Sequence, residues 1–163
     1  MSTSTFYEVA DDRPAGAGLV AAAPIAAGTA VADFADRPVH TVPSVYTIQV
    51  GVAEHVDSPT VRYLNHSCAA NVFVDTVARI VITMRAIGQG EELTFFYPST
   101  EWAMVRPFAC LCAAPDCIGM VQGAYFLPSD VLARYPLSPH IRKLDADRGG
   151  PSRDRPPVPG SGS

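Results

Sequence analysis

Arg62-Tyr63-Leu64-Asn65-His66-Ser67-Cys68-Ala69-Ala70-Asn71 is the stretch on which the reading of this chain turns. Two later segments answer to it: Gly90-Glu91-Glu92-Leu93-Thr94-Phe95-Phe96-Tyr97, and Cys110-Leu111-Cys112 followed by Cys117. All four cysteines of the protein fall in the first and third of these segments. A Cys-x-Cys-x4-Cys cluster offers three thiolates, whereas structural zinc takes four ligands in a tetrahedron. Cys68 is the one remaining cysteine able to complete such a shell, and the metal would then tie together two remote parts of the chain. The alternatives are two disulfides or four unrelated thiols. Disulfides need an oxidising compartment, and the chain opens without a charged n-region followed by an apolar h-region, so a cytoplasmic setting is expected. Zn2+ held by Cys68, Cys110, Cys112 and Cys117 is therefore the expected state of the cluster.

A length of 163 residues, with 48% apolar and 17% charged residues, suits one soluble globular domain. No apolar run approaches the ~20 residues that span a bilayer, so no membrane partner is expected. The formal net charge of −4 comes with no visible basic patch, which argues against a nucleic-acid partner and suits a basic substrate. No heptad or apolar stripe defines an oligomeric state.

Short strands punctuated by Gly and Pro predict a small, mostly β architecture. A strand begins at Phe6 and ends at a turn over Asp11-Asp12-Arg13-Pro14, followed by Ala15-Gly16-Ala17-Gly18-Leu19-Val20. Gly16-x-Gly18 lacks the third glycine and the helical pattern of a dinucleotide fingerprint. Pro24 to Thr29 reads as a turn, Ala30 to Phe34 as a strand, Val45 to Val50 as the clearest period-2 strand, and Ile80 to Met84 as a buried one. His40 and His55 read as ordinary surface or turn residues. Gly119 to Leu127 reads as a strand-like closing segment, and Ser129 to Tyr135 and Pro139 to Leu144 as short helical turns.

Asn65-His66-Ser67-Cys68 with Asn71, then Gly90-Glu91-Glu92-Leu93-Thr94 ending at Tyr97, then the cysteine tail, together resemble the SET-domain lysine methyltransferases with a post-SET zinc site. The resemblance covers residues 8 to 128 and is to a compact, bacterial-type member, since the nine-cysteine pre-SET cluster is absent and the interval from Phe34 to Arg62 is short. It implies a β-rich α+β fold of short curved sheets closed by a pseudoknot that brings Asn65–Cys68 beside Thr94–Tyr97. The implied organisation is a flexible N-terminus (1–5), a SET catalytic domain (6–105), a post-SET zinc segment (106–128), C-terminal helical turns (129–144) and a disordered tail (145–163).

The same resemblance implies S-adenosylmethionine as cofactor, bound by Gly16, Gly18, Leu19, Arg62, Asn65, His66 and Tyr97, with Arg62 either contacting it or bracing the loop. Tyr97 falls on the family's catalytic tyrosine and Phe95 on its phenylalanine/tyrosine switch, where phenylalanine implies di- or trimethylation of lysine. Methyl transfer to an amine is an in-line displacement that rests on alignment. The acceptor amine must arrive neutral, and an apolar channel beside a sulfonium cation disfavours its ammonium form. Two departures stand out: Ala70 where proline is common, and Phe96 where members usually carry Asp, a change expected to make the channel more apolar. Trp102, in Thr100-Glu101-Trp102, lines a substrate pocket or caps the core.

These readings imply an N-methyltransferase acting on a lysine of a non-histone protein. Two other readings stay open: a SET-fold enzyme acting on a small-molecule amine or on S-adenosylmethionine itself, and a catalytically inactive, zinc-stabilised binding module.

Overall fold

The computed structural model describes residues 5–148. Of the ends expected to be loose, 1–5 and 145–163, residues 1–4 and 149–163 lie outside the described residues, whereas 145–147 are helical. β1 (Tyr7–Arg13) and β2 (Gly16–Ala21) form an antiparallel hairpin. Its turn is not where the Asp-Asp-Arg-Pro run placed it. β1 continues to Arg13, which pairs with Gly16 across a bulge, and the reversal falls on Pro14 and Ala15. Gly16 supplies the φ of +98° that lets so tight a turn re-enter the sheet without a Cβ penalty.

There follow β3 (Ala30–Asp33), β4 (Val39–His40), β5 (Thr47–Gly51), β6 (Glu54–Asp57) and β7 (Asn65–His66). Next come β8 (Val72–Asp75), β9 (Ile80–Thr83), β10 (Glu92–Phe95), β11 (Phe108–Ala109) and β12 (Met120–Val121), then helices α1 (Ser129–Leu132) and α2 (Pro139–Asp147). The strands build four small sheets, ordered β1-β2-β10-β7, β3-β9-β8, β4-β6-β5 and β11-β12. The β-rich α+β expectation holds. Among the described residues no helix is long and apolar enough to cross a membrane.

Local chemistry explains where the strands depart from the pattern. β5 starts at Thr47 and not at Val45, because Thr47 Oγ1 accepts the Ser44 N–H and folds residues 44–47 into a turn that leaves Val45 and Tyr46 exposed. His55 is not a loop residue but lies buried on β6, where burial lowers its pKa. Of Gly119–Leu127 only Met120 and Val121 pair as a strand, and a 3-10 turn at Ala124–Phe126 follows. α2 runs on to Asp147 because Arg148 clamps its end, donating to the carbonyls of Tyr125 and Leu127 and pairing with Asp145.

Two cores result. The larger gathers Leu19, Phe34, Val56, Leu64, Val81 and Leu93 beneath the sheets; the smaller gathers Phe96, Ala124, Leu132 and Ile141 around Cys68. β10 decides which residue enters which. Phe95 turns into the larger core, and Phe96 turns the other way to stack on Tyr135, with ring centroids 3.6 Å apart. Phe96 therefore does not make the channel more apolar, as the sequence suggested; it anchors the C-terminal helices. Trp102 likewise packs in the smaller core, edge-on to Tyr125 and under Arg148, so it caps the core.

β10 itself is held by one side chain. Asn71, 2% exposed, donates through Nδ2 to Glu92 O at 2.8 Å and accepts the Thr94 N–H on Oδ1 at 2.9 Å. Its own N–H reaches Thr94 O at 3.1 Å, and its carbonyl takes the Met84 N–H at 2.8 Å. Removing the amide strands a buried donor and a buried acceptor, each costing about 1–3 kcal/mol. Asn71→Ala is therefore expected to lower the unfolding free energy by roughly 2–4 kcal/mol in urea titrations at fixed zinc.

Candidate active site and metal centre

β10 and β7 run parallel, with Thr94 opposite Asn65 and Phe95 opposite His66. This places the Asn65–Cys68 stretch beside Thr94–Tyr97, the juxtaposition the resemblance implied. The Ser67 N–H closes the pairing onto Phe95 O at 3.1 Å. Immediately after β10 a 3-10 turn at Tyr97–Ser99 swings Tyr97 toward β7, where its hydroxyl donates to Leu64 O at 2.6 Å.

The four cysteines meet at the edge of the smaller core. All are free thiols, and their sulfurs lie within 4.8 Å of one another, with Cys68 and Cys110 3.9 Å apart. Zinc–sulfur bonds of about 2.3 Å in a tetrahedron place the sulfurs about 3.8 Å apart, so little rearrangement separates this cluster from a filled shell. Backbone amides already point at the sulfurs: Ile118 N–H reaches Cys68 Sγ and Gly119 N–H reaches Cys117 Sγ, both at 3.4 Å. Burial pushes the Cys68 thiol strongly up, so its thiolate needs the compensating charge that a divalent cation provides. The residues present fit Zn2+.

His66 joins this cluster to Tyr97. Its Nδ1 accepts the Tyr97 N–H at 3.1 Å, and burial holds its pKa down to about 4, so the neutral ring carries its proton on Nε2. That nitrogen lies 3.4 Å from Cys68 Sγ, where it donates to the sulfur. Rings extend the contact: His66 sits edge-on to Tyr97 and to Phe108, and Tyr97 edge-on to Phe108.

A cavity of about 620 Å³ opens here, within the usual range for small-molecule sites. Arg62, Asn65, His66, Phe95 and Tyr97 line it, while Phe108, Leu111 and Cys112 from the zinc segment form part of its wall. Arg62 is engaged by Asp57 and lies over the Tyr46 ring, which makes it a brace for the wall. Asn65 gives both amide hydrogens to protein acceptors, Ala17 O at 3.0 Å and Glu92 Oε1 at 2.8 Å.

Gly16, Gly18 and Leu19 are not among the lining residues; Pro14 and Ala15 are. Leu19 is 1% exposed in the larger core. A Cβ on Gly18 would lie 2.9 Å from Asn65 Nδ2 and closer still to Glu92 Oε1, so the glycine makes room for that hydrogen-bonded pair. The cavity suits a cationic sulfonium ligand: the Phe95, Tyr97 and Phe108 rings cluster on its wall with the carboxylates of Glu92 and Glu101. Burial, then the charges of Glu101 and Glu92, push the Tyr97 phenol well above its ordinary pKa, so its hydroxyl stays protonated.

Sequence reasoning missed Glu101, the partly buried acid of this wall. Burial pushes its carboxyl up to about 7 against the opposing pull of the Gln49 N–H and the Thr100 hydroxyl. The available signal was an acid four residues beyond Tyr97, between a threonine and a tryptophan, where a solvated carboxylate has little reason to be.

The chain belongs to the SET-domain family, whose model matches residues 16–98. It is 44% identical over 88 residues to Methyltransferase flvH of Aspergillus flavus, covering 53% of this chain and 49% of that protein. It is 32% identical over 88 residues to the H3 lysine-36 specific histone-lysine N-methyltransferase of Gibberella zeae, covering 48% of this chain and 9% of that one. The chain thus spans about half the length of the first of these relatives and a small part of the second. In fold it is similar to KRYPTONITE, solved in complex with mCHG DNA and SAH, at a TM-score of 0.60 and 22% identity over 73% of this chain and 30% of that one. It is also similar to the methyltransferase domain of human SETMAR, at a TM-score of 0.53 and 22% identity over 72% of this chain and 58% of that chain.

Cys68 lies just after β7 and its three partners in the segment that walls the cavity. Cys68→Ser is expected to drop bound zinc well below one equivalent by atomic emission; an unchanged stoichiometry would remove Cys68 from the shell.

Proposed function

We propose that this protein is an S-adenosylmethionine-dependent N-methyltransferase that methylates a lysine of a non-histone protein. The observation that carries the reading is the Tyr97 hydroxyl, fixed on Leu64 O beside the cavity between Phe95, His66 and Phe108. Bound S-adenosylmethionine would supply an electrophilic methyl on sulfur. The residues that would hold it are Asn65, His66 and Tyr97, with Arg62 bracing the wall and Gly16, Gly18 and Leu19 shaping the turn behind it.

The chain's own work is alignment. Tyr97, its proton committed to Leu64 O, presents oxygen lone pairs and acts as a fixed dipole, not as a phenolate base. Apolar walls from Phe95 and Ile48 exclude water at the point of transfer, where the attacking nitrogen must be neutral even if the amine enters as an ammonium. Phe95, with its ring centroid 4.7 Å from that of Tyr97, brings no hydroxyl that could hold a water in the path of a second methyl. Its role is to permit di- or trimethylation. A post-SET zinc site of Cys68, Cys110, Cys112 and Cys117 would fix Phe108 against His66 and Tyr97, and four reduced thiols fit a cytoplasmic protein.

A free small-molecule amine is the second reading. The short stretch before Arg62 builds only β4, β5 and β6 beside the mouth, little surface for gripping a folded substrate. The net charge of −4 favours a basic acceptor in either case and disfavours nucleic acid.

Titration of the zinc-loaded protein with S-adenosylmethionine in a calorimeter is expected to show binding; its absence would favour the inactive binding module. Tyr97→Phe is expected to keep that affinity while turnover falls by about 10²-fold or more. Unaltered turnover would remove the hydroxyl from the mechanism. With a lysine acceptor, Phe95→Tyr is expected to shift the mass spectrum toward monomethyl product, and an unchanged pattern would count against the switch.

A further inference from the structure

We propose that Glu101 is the residue that receives the ammonium group of the methyl acceptor, its Oε1 accepting an N–H from an alkylammonium that enters the cavity. The inference rests on the methyltransferase reading for the identity of the guest, and on the geometry of Glu101 for its charge and its hydrogen-bonding character.

Glu101 is tied directly to the turn that carries Tyr97, since its N–H donates to Tyr97 O at 3.0 Å. One carboxylate oxygen is fully engaged: Oε2 accepts the Gln49 N–H of β5 and the Thr100 hydroxyl, each at 2.8 Å. The other has no hydrogen-bond partner among the described residues. No lysine, arginine or histidine among them pairs with this carboxylate either. Of the two arginines lining the cavity, Arg62 is held by Asp57 and Arg106 stands at the exposed rim. Glu92, the other acid on the wall, is bonded to Asn65.

A partly buried carboxylate without a counter-ion, its free oxygen open to the cavity, is disfavoured, and such groups are ordinarily paired. Here the missing partner has a place to stand, because Glu101 lines the cavity with Tyr97, Ile48 and Met104. Gln49 reinforces the arrangement from the far side. Its Oε1 accepts the Trp102 N–H at 2.9 Å, so β5 and the segment after Tyr97 grip each other on both flanks of Glu101. A sulfonium offers charge but no N–H, whereas an ammonium offers both, and an open lone pair on Oε1 matches an ammonium; the acceptor amine brings one and so does the amino-acid end of the cofactor, which the titration has to separate. The raised pKa of the carboxyl fits a site completed by a cation.

Isothermal titration of the zinc-loaded protein, saturated with S-adenosylhomocysteine, with n-butylammonium, tetramethylammonium and a lysine-containing peptide tests this. Wild type is expected to bind n-butylammonium or the peptide, with affinity rising as pH passes through about 7, and tetramethylammonium weakly. Glu101→Gln retains an oxygen for the Gln49 N–H and is expected to bind the amine at least about tenfold more weakly and without that pH dependence, while Glu101→Asp recovers part of the affinity. A merely structural Glu101 would give equal amine affinity in wild type and Glu101→Gln, which overturns the proposal. So would a loss of cofactor affinity in Glu101→Gln: confined to S-adenosylmethionine it would assign the carboxylate to the sulfonium, and equal for S-adenosylmethionine and S-adenosylhomocysteine it would assign it to their shared α-ammonium. Whichever of the free amine and the peptide binds more tightly in a Glu101-dependent way identifies the source of the ammonium. None of these readouts needs turnover, so failure of the methyltransferase reading shows separately as absent cofactor binding.

Discussion

The hydrogen bonds of Asn71 onto β10 are what the remaining structure depends on. β10 is four residues long and borders β2 on one side and the two-residue β7 on the other, so its own sheet contacts cannot position it alone. Asn71 adds a side-chain amide that mimics a further strand, filling the N–H of Thr94 and the carbonyl of Glu92. With β10 fixed, Leu93 and Phe95 enter the larger core, Phe96 enters the smaller one, and Tyr97 has one place to turn. A single buried amide thereby sets the separation of two cores and the position of the candidate reacting group. Aspartate could accept from Thr94 but could not donate to Glu92, and a hydrophobic residue could do neither.

His66 makes the metal cluster and the cavity one unit. The ring is neutral, accepts from the Tyr97 backbone and donates to the Cys68 sulfur, so its orientation is set from both ends. Outer hydrogen bonds of this kind orient metal ligands and tune them. Traffic would run the other way as well, since a metal held by the four thiols would fix the ring on which the Tyr97 backbone rests. Phe108, in the same segment as the three late cysteines, presses on both rings. Metal binding there would bear on cavity shape as much as on global stability.

What could be read from the sequence was what depends on residue identity and count. Four cysteines in a closed set, and Asn65-His66-Ser67-Cys68 followed by Glu92 to Tyr97, announced both the family and the pairing of β7 with β10. What could not be read was direction. The side to which Phe96 points is decided by the twist of β10 and by the arrival of Tyr135, neither of which has a local signature. The Asp11–Pro14 run looked like a turn, but a bulged strand accommodates it once Gly16 takes the reversal. Gly18 is expected at the cofactor on the strength of the resemblance alone, and that a Cβ there would meet Asn65 and Glu92 has no local signature. Glu101 escaped notice because burial of a charge is a tertiary fact: its carboxylate leaves water only when β5 comes to lie beside it.

The span between Cys68 and its partners also orders events during synthesis on the ribosome. Cys68 and β7 leave the exit tunnel well before β10, and 42 residues before Cys110. Until then one edge of β2 is open and Cys68 is a lone thiol, so the nascent chain exposes both a strand edge able to pair wrongly and a sulfur able to oxidise. The last cysteine, Cys117, closes that interval. A chain interrupted before it would keep every residue that the family model matches and still lack the fourth thiol of the cluster. Until Cys117 joins, the four-thiol group that could hold a metal ion is incomplete.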